Sequence, residues 1–386
     1  MRGVDMVQGV TLVADQQTGG AIIARGTADR LHLHPIWLRE RVNDPALVDP
    51  VNHQRLYEPN DLPGDLRVAD IAALEDGAFA ISFSDGFSSR FDAARLLVEC
   101  GWEDDPERTP SPIAWTNASG EIPSVDFAAI DTADGMHALL DGFFARGFCI
   151  IRGTPHQPGD LDALAQRFGY IRETNWGRLF DVYSKPVATD LAYTGLALAA
   201  HTDNPYRFPV PGIQFLHCLE NNVAGGLSTV VDGLALVEHI EEVAPQEARV
   251  LEELPVRFRY DTSSCIVEDA SPLVERDSLG RLIGLRLSSR LDYVLPAEPE
   301  KLDLFYSGRR RLQKLANDPR FQLSFPFEPG LLLMMDNRRT LHGRTAFDGT
   351  SGRRHLQGCY IDHDGPRSLW RTLMRDGVAS LGREAA

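Results

Sequence analysis

The sequence predicts an α+β protein, mostly β with helical insertions, built as a β-sandwich or open barrel. Three observations carry that expectation. Short segments with period-two alternation or continuous apolar character recur along most of the 386 residues. Only two strong helical stretches interrupt the strands that follow Pro209. No GxGxxG or GxxxxGKS stands in a strand–turn–helix context, which disfavours a doubly wound nucleotide-binding sheet.

The elements follow in chain order. Residues 1–103 read as a small β-rich domain: "GVTLVA", "GAIIARG", "RLHLHPIWL" and "FAISFSDGFSSRF" have the pattern of short strands. Residues 104–124 are acidic and contain prolines, the composition of a linker. From Val125 to the C-terminus the pattern is that of a larger domain, 125–386. "DGMHALLDGFFARG" has helical spacing and a glycine stop, "FCIIRG" is an apolar strand, and "PGDLDALAQRFG" is a second helix with acidic residues at its start. Then come the strands "GIQFLHCLE", "LSTVVDG", "VRFRYDT", "LIGLRLSS", "FQLSFPFEPG", "LLLMMDN" and "HLQGCYID", with helices at about 233–253 and 297–317.

Bulk composition excludes several functions. With 55 acidic against 39 basic residues the formal net charge is -16, a surface that repels nucleic acid and anionic membranes. No run reaches the roughly 18 apolar residues that a bilayer span needs. The N-terminus lacks the apolar core of a signal peptide, so the expected location is cytoplasmic. Five cysteines stand singly without a CxxC, which argues against a disulfide framework or a thiolate metal site.

Chemistry concentrates in three places. In "LALAAHTDNPYRF", His201 and Asp203 are two apart at the end of a strand-like run, and residues i and i+2 of a strand share a face. A third ligand must come from elsewhere, and His342 in "LLLMMDNRRTLHGRTAF" is the best placed. Two imidazoles and a carboxylate with open positions form the facial triad of non-haem Fe(II) oxygenases. Arg353 and Arg354 lie 11 and 12 residues beyond His342, where a guanidinium fork suits the far carboxylate of 2-oxoglutarate. HxD alone is a weak pattern among eleven histidines; its combination with the distal histidine and the arginine makes it specific.

"HTDNPYRFPVPGIQFLHCLENNVAGGLSTVVDG", "DNRRTLHGRTAF" and "RRHLQGCYIDHD" resemble the γ-butyrobetaine hydroxylase branch of the Fe(II)/2-oxoglutarate dioxygenases, and "HPIWLRER" resembles the small first domain of that branch. The resemblance implies a double-stranded β-helix (jelly-roll) catalytic domain, a homodimer, and hydroxylation that consumes 2-oxoglutarate and O2. It implies that His201, Asp203 and His342 hold Fe(II). It also implies that Arg354, with Arg353 as the alternative, binds 2-oxoglutarate, and that Ser228 lies near that cosubstrate. One departure is plain: the relatives' zinc-binding cysteines are missing after "WLR", and Phe87 stands where a histidine is expected. No structural zinc is therefore predicted.

The same branch implies a small trimethylammonium substrate in an aromatic cage, where cation–π attraction replaces hydrogen bonds. The matching positions are Trp176, Phe180, Tyr193 and Tyr360, with Asp190 beside them. The opposite end of the substrate must be anionic. Where relatives carry amides, this chain has Ser288, Ser289 and Arg290, and an added guanidinium suits a dianion. The favoured substrate is thus 2-(trimethylamino)ethylphosphonate, giving its 1-hydroxy product with succinate and CO2. γ-Butyrobetaine is the alternative, and a taurine or sulfonate substrate a more distant one. For Arg290 the sequence equally allows a surface pair with Asp292.

Overall fold

The computed structural model describes residues 6–7, 9–119, 122–183 and 194–376. The chain divides into two compact units, Met1–Arg108 and Thr109–Ala386. The break falls within the stretch read as a linker; Trp115, from the same stretch, is buried in the core of the second unit.

The first unit has two antiparallel meanders, one ending in Ala21–Arg25 and Asp29–Leu33, the other made by Val68–Ala73, Ala78–Phe83 and Ser88–Asp92. The segment "RLHLHPIWL" differs from expectation. Its strand stops at Leu33, His34 caps a short helix Pro35–Arg39, and Pro35 takes the first helical turn, where a missing N–H costs nothing. Val10, Leu12, Ile23, Phe79, Ile81 and Phe91 form the unit's own core. Phe87 lies under the Arg39 guanidinium, 4.3 Å from ring centroid to cation, and Arg39 also pairs with Asp85.

The second unit is built on two sheets. One has six strands in the order Phe180–Tyr183, Arg354–Ile361, Ile213–Asn221, Leu332–Asp336, Phe148–Arg152 and Ser124–Asp126. Only its last pair is parallel. The other has four antiparallel strands: Leu198–His201, Thr340–Arg344, Ser228–Asp232 and Gln322–Phe325. Phe148, Ile150, Leu216, Leu333 and Met335 of the first sheet meet Val230, Leu323 and Phe325 of the second in one core, the packing of a jelly roll.

"LLLMMD" is apolar on both faces because both faces are covered. Leu333 and Met335 point between the sheets; Leu332 and Met334 point outward onto the helices Ala133–Arg146 and Asp160–Gln166. Thr132 caps the first of these helices and Gly147, at φ 79°, ends it. On the far side of the four-stranded sheet Ala200, Val231 and Leu341 pack against helices Gly233–Val243, Pro245–Glu253 and Pro299–Ala316. The single helix expected over 233–253 is two, because Pro245 disfavours helical backbone at Ala244 and starts a new turn itself. Among the described residues, no helix is long and apolar enough to cross a membrane.

Candidate active site

His201 and His342 meet because their strands pair directly: they are opposed residues across the four-stranded sheet, with Val230 opposite His342 on its other side. Val230 belongs to the core between the sheets, so the row faces inward. Asp203 follows two residues after His201, just past the strand end. Its main chain is fixed by the fully buried Asn337, whose Oδ1 accepts from Asp203 N–H at 2.7 Å and whose Nδ2 donates to Asp203 C=O at 2.9 Å.

Ligand atoms of His201, Asp203 and His342 all lie within 4.8 Å of one another. Asp203 Oδ1 is 3.3 Å from His201 Nε2 and 3.8 Å from His342 Nε2. His201 Nδ1 is 3.0 Å from the Ala199 carbonyl, which can only accept; Nδ1 therefore carries a proton, and Nε2 is the nitrogen turned toward Asp203. Burial pushes the His342 imidazole down to about 4, against the opposing pull of Asp203, so that ring is neutral. Burial alone would raise the Asp203 carboxyl, but His342, His201 and the Tyr360 hydroxyl outweigh it and hold the group well below the usual carboxylate range. Two imidazole nitrogens and an anionic carboxylate oxygen thus converge on one point, where a cation can be held. The donor set, two nitrogens and one oxygen, is the one that suits iron.

A cavity of about 240 Å³ opens on this point. Of the sequence-predicted residues, the structure brings Trp176, Phe180, Ser228, Arg290, Arg354 and Tyr360 to its wall, along with Ser288. Arg354 is buried at 6% exposure, and its Nε has no hydrogen-bond partner. Burial holds its pKa below the ordinary guanidinium value. A carboxylate ligand would satisfy it.

Two predicted residues are placed elsewhere. Arg353 precedes Arg354 and so points to the opposite side; it is 79% exposed and pairs with Glu220. Ser289 is exposed and does not line the cavity, whereas its neighbour Ser288 is buried and does. Asp190 and Tyr193 lie outside the described residues. Asp292, the alternative partner for Arg290, has its buried carboxylate engaged by Arg309.

Sequence reasoning missed other members of the wall. Tyr206 and Tyr260 stack at 5.0 Å, and Trp176 packs against Tyr260 at 5.5 Å, giving an aromatic corner. Tyr206 follows the HxD motif closely, but nothing local marks Tyr260, which arrives on the strand Val256–Asp261. Arg344 is a second buried arginine at the cavity, donating to the carbonyls of Thr194 and Leu196.

Residues 108–360 match the family described as taurine catabolism dioxygenase TauD, TfdA family, and the chain belongs to it. It is an Fe(II)/2-oxoglutarate-dependent dioxygenase of the γ-butyrobetaine hydroxylase-like kind. Among individual relatives, the chain is 35% identical over 338 residues to the γ-butyrobetaine dioxygenase of Pseudomonas sp. (strain AK-1), covering 86% of this chain and 88% of that one. It is 28% identical over 349 residues to the mitochondrial trimethyllysine dioxygenase of Mus musculus, covering 88% and 82%. A solved taurine dioxygenase from Burkholderia xenovorans superposes with a TM-score of 0.48 at 16% identity, over 66% of this chain and 93% of that one.

Proposed function

We propose that this enzyme hydroxylates an aliphatic C–H of a small trimethylammonium zwitterion, and that 2-(trimethylamino)ethylphosphonate is its substrate. The observation that carries the reading is the joint lining of one cavity by the triad, an aromatic wall and Arg290. Relatives named for γ-butyrobetaine and trimethyllysine support the quaternary ammonium class. They also favour the second reading, a carboxylate substrate such as γ-butyrobetaine.

In this proposal His201, Asp203 and His342 hold the iron. When bound, the metal supplies O2 activation coupled to decarboxylation of 2-oxoglutarate and hydroxylation of the substrate. Everything else is positioning by this chain. Arg354, buried and with no hydrogen-bond partner for its Nε among the described residues, donates to the distal carboxylate of 2-oxoglutarate as a bidentate pair. Ser228, buried on the strand beside His342, adds a hydroxyl to the same wall. Trp176, Phe180 and the Tyr206–Tyr260 stack present ring faces to a cation that cannot donate hydrogen bonds, while Arg290 attracts the anionic end. Holding the substrate at both ends selects the carbon presented to the metal. The cysteines are free thiols, three of them buried, which supports a reducing cytoplasmic setting; the proposed assembly is a homodimer, to be checked by sedimentation.

The test is succinate formation with Fe(II) and 2-oxoglutarate on the phosphonate, on γ-butyrobetaine and without substrate. Turnover stimulated chiefly by the phosphonate is expected. Stimulation by γ-butyrobetaine alone would transfer the assignment to the carboxylate, and stimulation by neither would overturn the substrate class.

A further inference from the structure

The Asp203 carboxylate is gripped on one oxygen only. Oδ2 accepts from Gln214 Nε2 at 2.6 Å and from the Tyr360 hydroxyl at 2.8 Å, while Oδ1 faces the two imidazoles. A carboxylate oxygen offers two in-plane lone pairs, so two donors saturate Oδ2. With Asn337 holding the peptide on both N–H and C=O, the side chain cannot turn about its last bond without giving up both contacts.

The arrangement has a local cost. Because a carboxylate can only accept, the Gln214 amide must present its nitrogen, and this leaves Gln214 Oε1 buried without a partner. Gln214 and Tyr360 are opposed residues on paired strands, so they arrive at Asp203 together. The Tyr360 ring is fixed separately by stacking on Phe180 at 5.2 Å. The hydroxyl is therefore dispensable to the packing of the ring and spent on Asp203.

Resting on the reading of the triad as the metal site, we propose that Gln214 and Tyr360 are positioning residues that keep Asp203 a one-oxygen ligand. Carboxylates bind hard cations through one oxygen or two. A carboxylate free to turn can bring both oxygens to the metal and close one of the open positions the triad must leave for 2-oxoglutarate and O2. Gln214 and Tyr360 prevent that turn.

The experiment uses the full chain loaded with Mn(II), with Tyr360→Phe and Gln214→Leu singly and together. Line broadening of the Mn(II) EPR spectrum in ¹⁷O-water counts bound water; calorimetry gives the Mn(II) and 2-oxoglutarate affinities. In the double variant we expect fewer bound waters than in the parent, Mn(II) binding retained, and 2-oxoglutarate binding weakened about 10- to 100-fold. A merely structural role would lower the melting temperature and leave the water count alone. Tyr360→Phe loses one oxygen and keeps the ring, so it carries the test if the double variant does not fold. Parental water count and 2-oxoglutarate affinity in the folded variant overturn the proposal. Failure of the underlying metal reading is separate: Asp203→Ala would then bind Mn(II) as the parent does.

Discussion

Replacing Arg354 by methionine separates what the arginine does for the fold from the cosubstrate role proposed for it. Arg354 is 6% exposed, and among the described residues no carboxylate or carbonyl meets its guanidinium, which lies 5.8 Å from the centroid of the Phe347 ring. An unpaired buried charge costs several kcal/mol after relaxation, and a desolvated cation–π contact returns about 2 kcal/mol. Methionine keeps the length and the apolar stem. The variant without 2-oxoglutarate is therefore expected to be more stable than the parent, by about 1–3 kcal/mol.

Binding should change in the opposite direction. Two charge-assisted hydrogen bonds to a carboxylate are worth about 3 kcal/mol together, so 2-oxoglutarate affinity should fall about 100-fold. The assay is thermal unfolding of Mn(II)-loaded parent and variant, with and without cosubstrate. At a concentration about 100 times the parental Kd the parent gains about 2.7 kcal/mol, while the variant gains about 0.4 kcal/mol. The expected signature is a crossover, the variant melting higher alone and responding far less to 2-oxoglutarate. A variant that melts lower than the parent without ligand, or keeps the parental response, would refute this account of Arg354.

Arg290→Ala should lower kcat/KM for the phosphonate at least about tenfold while changing γ-butyrobetaine less, since a second negative charge is what the guanidinium rewards; equal losses on both would return Arg290 to a general role. Asn337→Ala removes an amide that holds Asp203 at both backbone atoms and also donates to the Pro211 carbonyl. Its expected cost is about 2–4 kcal/mol by urea unfolding, together with weaker Mn(II) binding. His217 supplies a pH test away from the metal. Its Nε2 donates to Thr154 Oγ1 at 3.0 Å, that hydroxyl donates to the Gly330 carbonyl, and burial holds the imidazole down to about 4. The unfolded chain binds a proton near pH 6.5 and the folded chain does not, so stability present above that pH is lost as pH falls toward 4. Between pH 7 and pH 5 the parent should lose about 2 kcal/mol more than His217→Gln, compared by urea midpoints.

What the sequence revealed and what it concealed divide along physical lines. His201 and Asp203 were legible as a pair because residues two apart cannot lie far from one another. The strand ends at His201, however, and it is the Asn337 amide, not strand alternation, that fixes the Asp203 main chain. Arg353 and Arg354 stood out as cations leading into an apolar strand, and the strand separates them by pointing alternate residues to opposite sides, Arg354 to the cavity and Arg353 to solvent. The strand pattern survived where both faces are buried, as in "LLLMMD", and failed at Pro35 and Pro245, where a ring that fixes φ overrides the pattern around it. The groups that set the carboxylate's orientation were not legible. Gln214 and Tyr360 are 146 residues apart and meet only through strand register; Asn337 reads as an ordinary turn residue until its amide is seen spanning a distant peptide. Tyr360 carries the lesson furthest. Its motif marks it as an aromatic of the expected cage; its hydroxyl donates to Asp203, a contact that a phenylalanine at the same place could not make. Aromatic character can be read from a residue's name, but which of its atoms the protein uses depends on the strand that pairs with it.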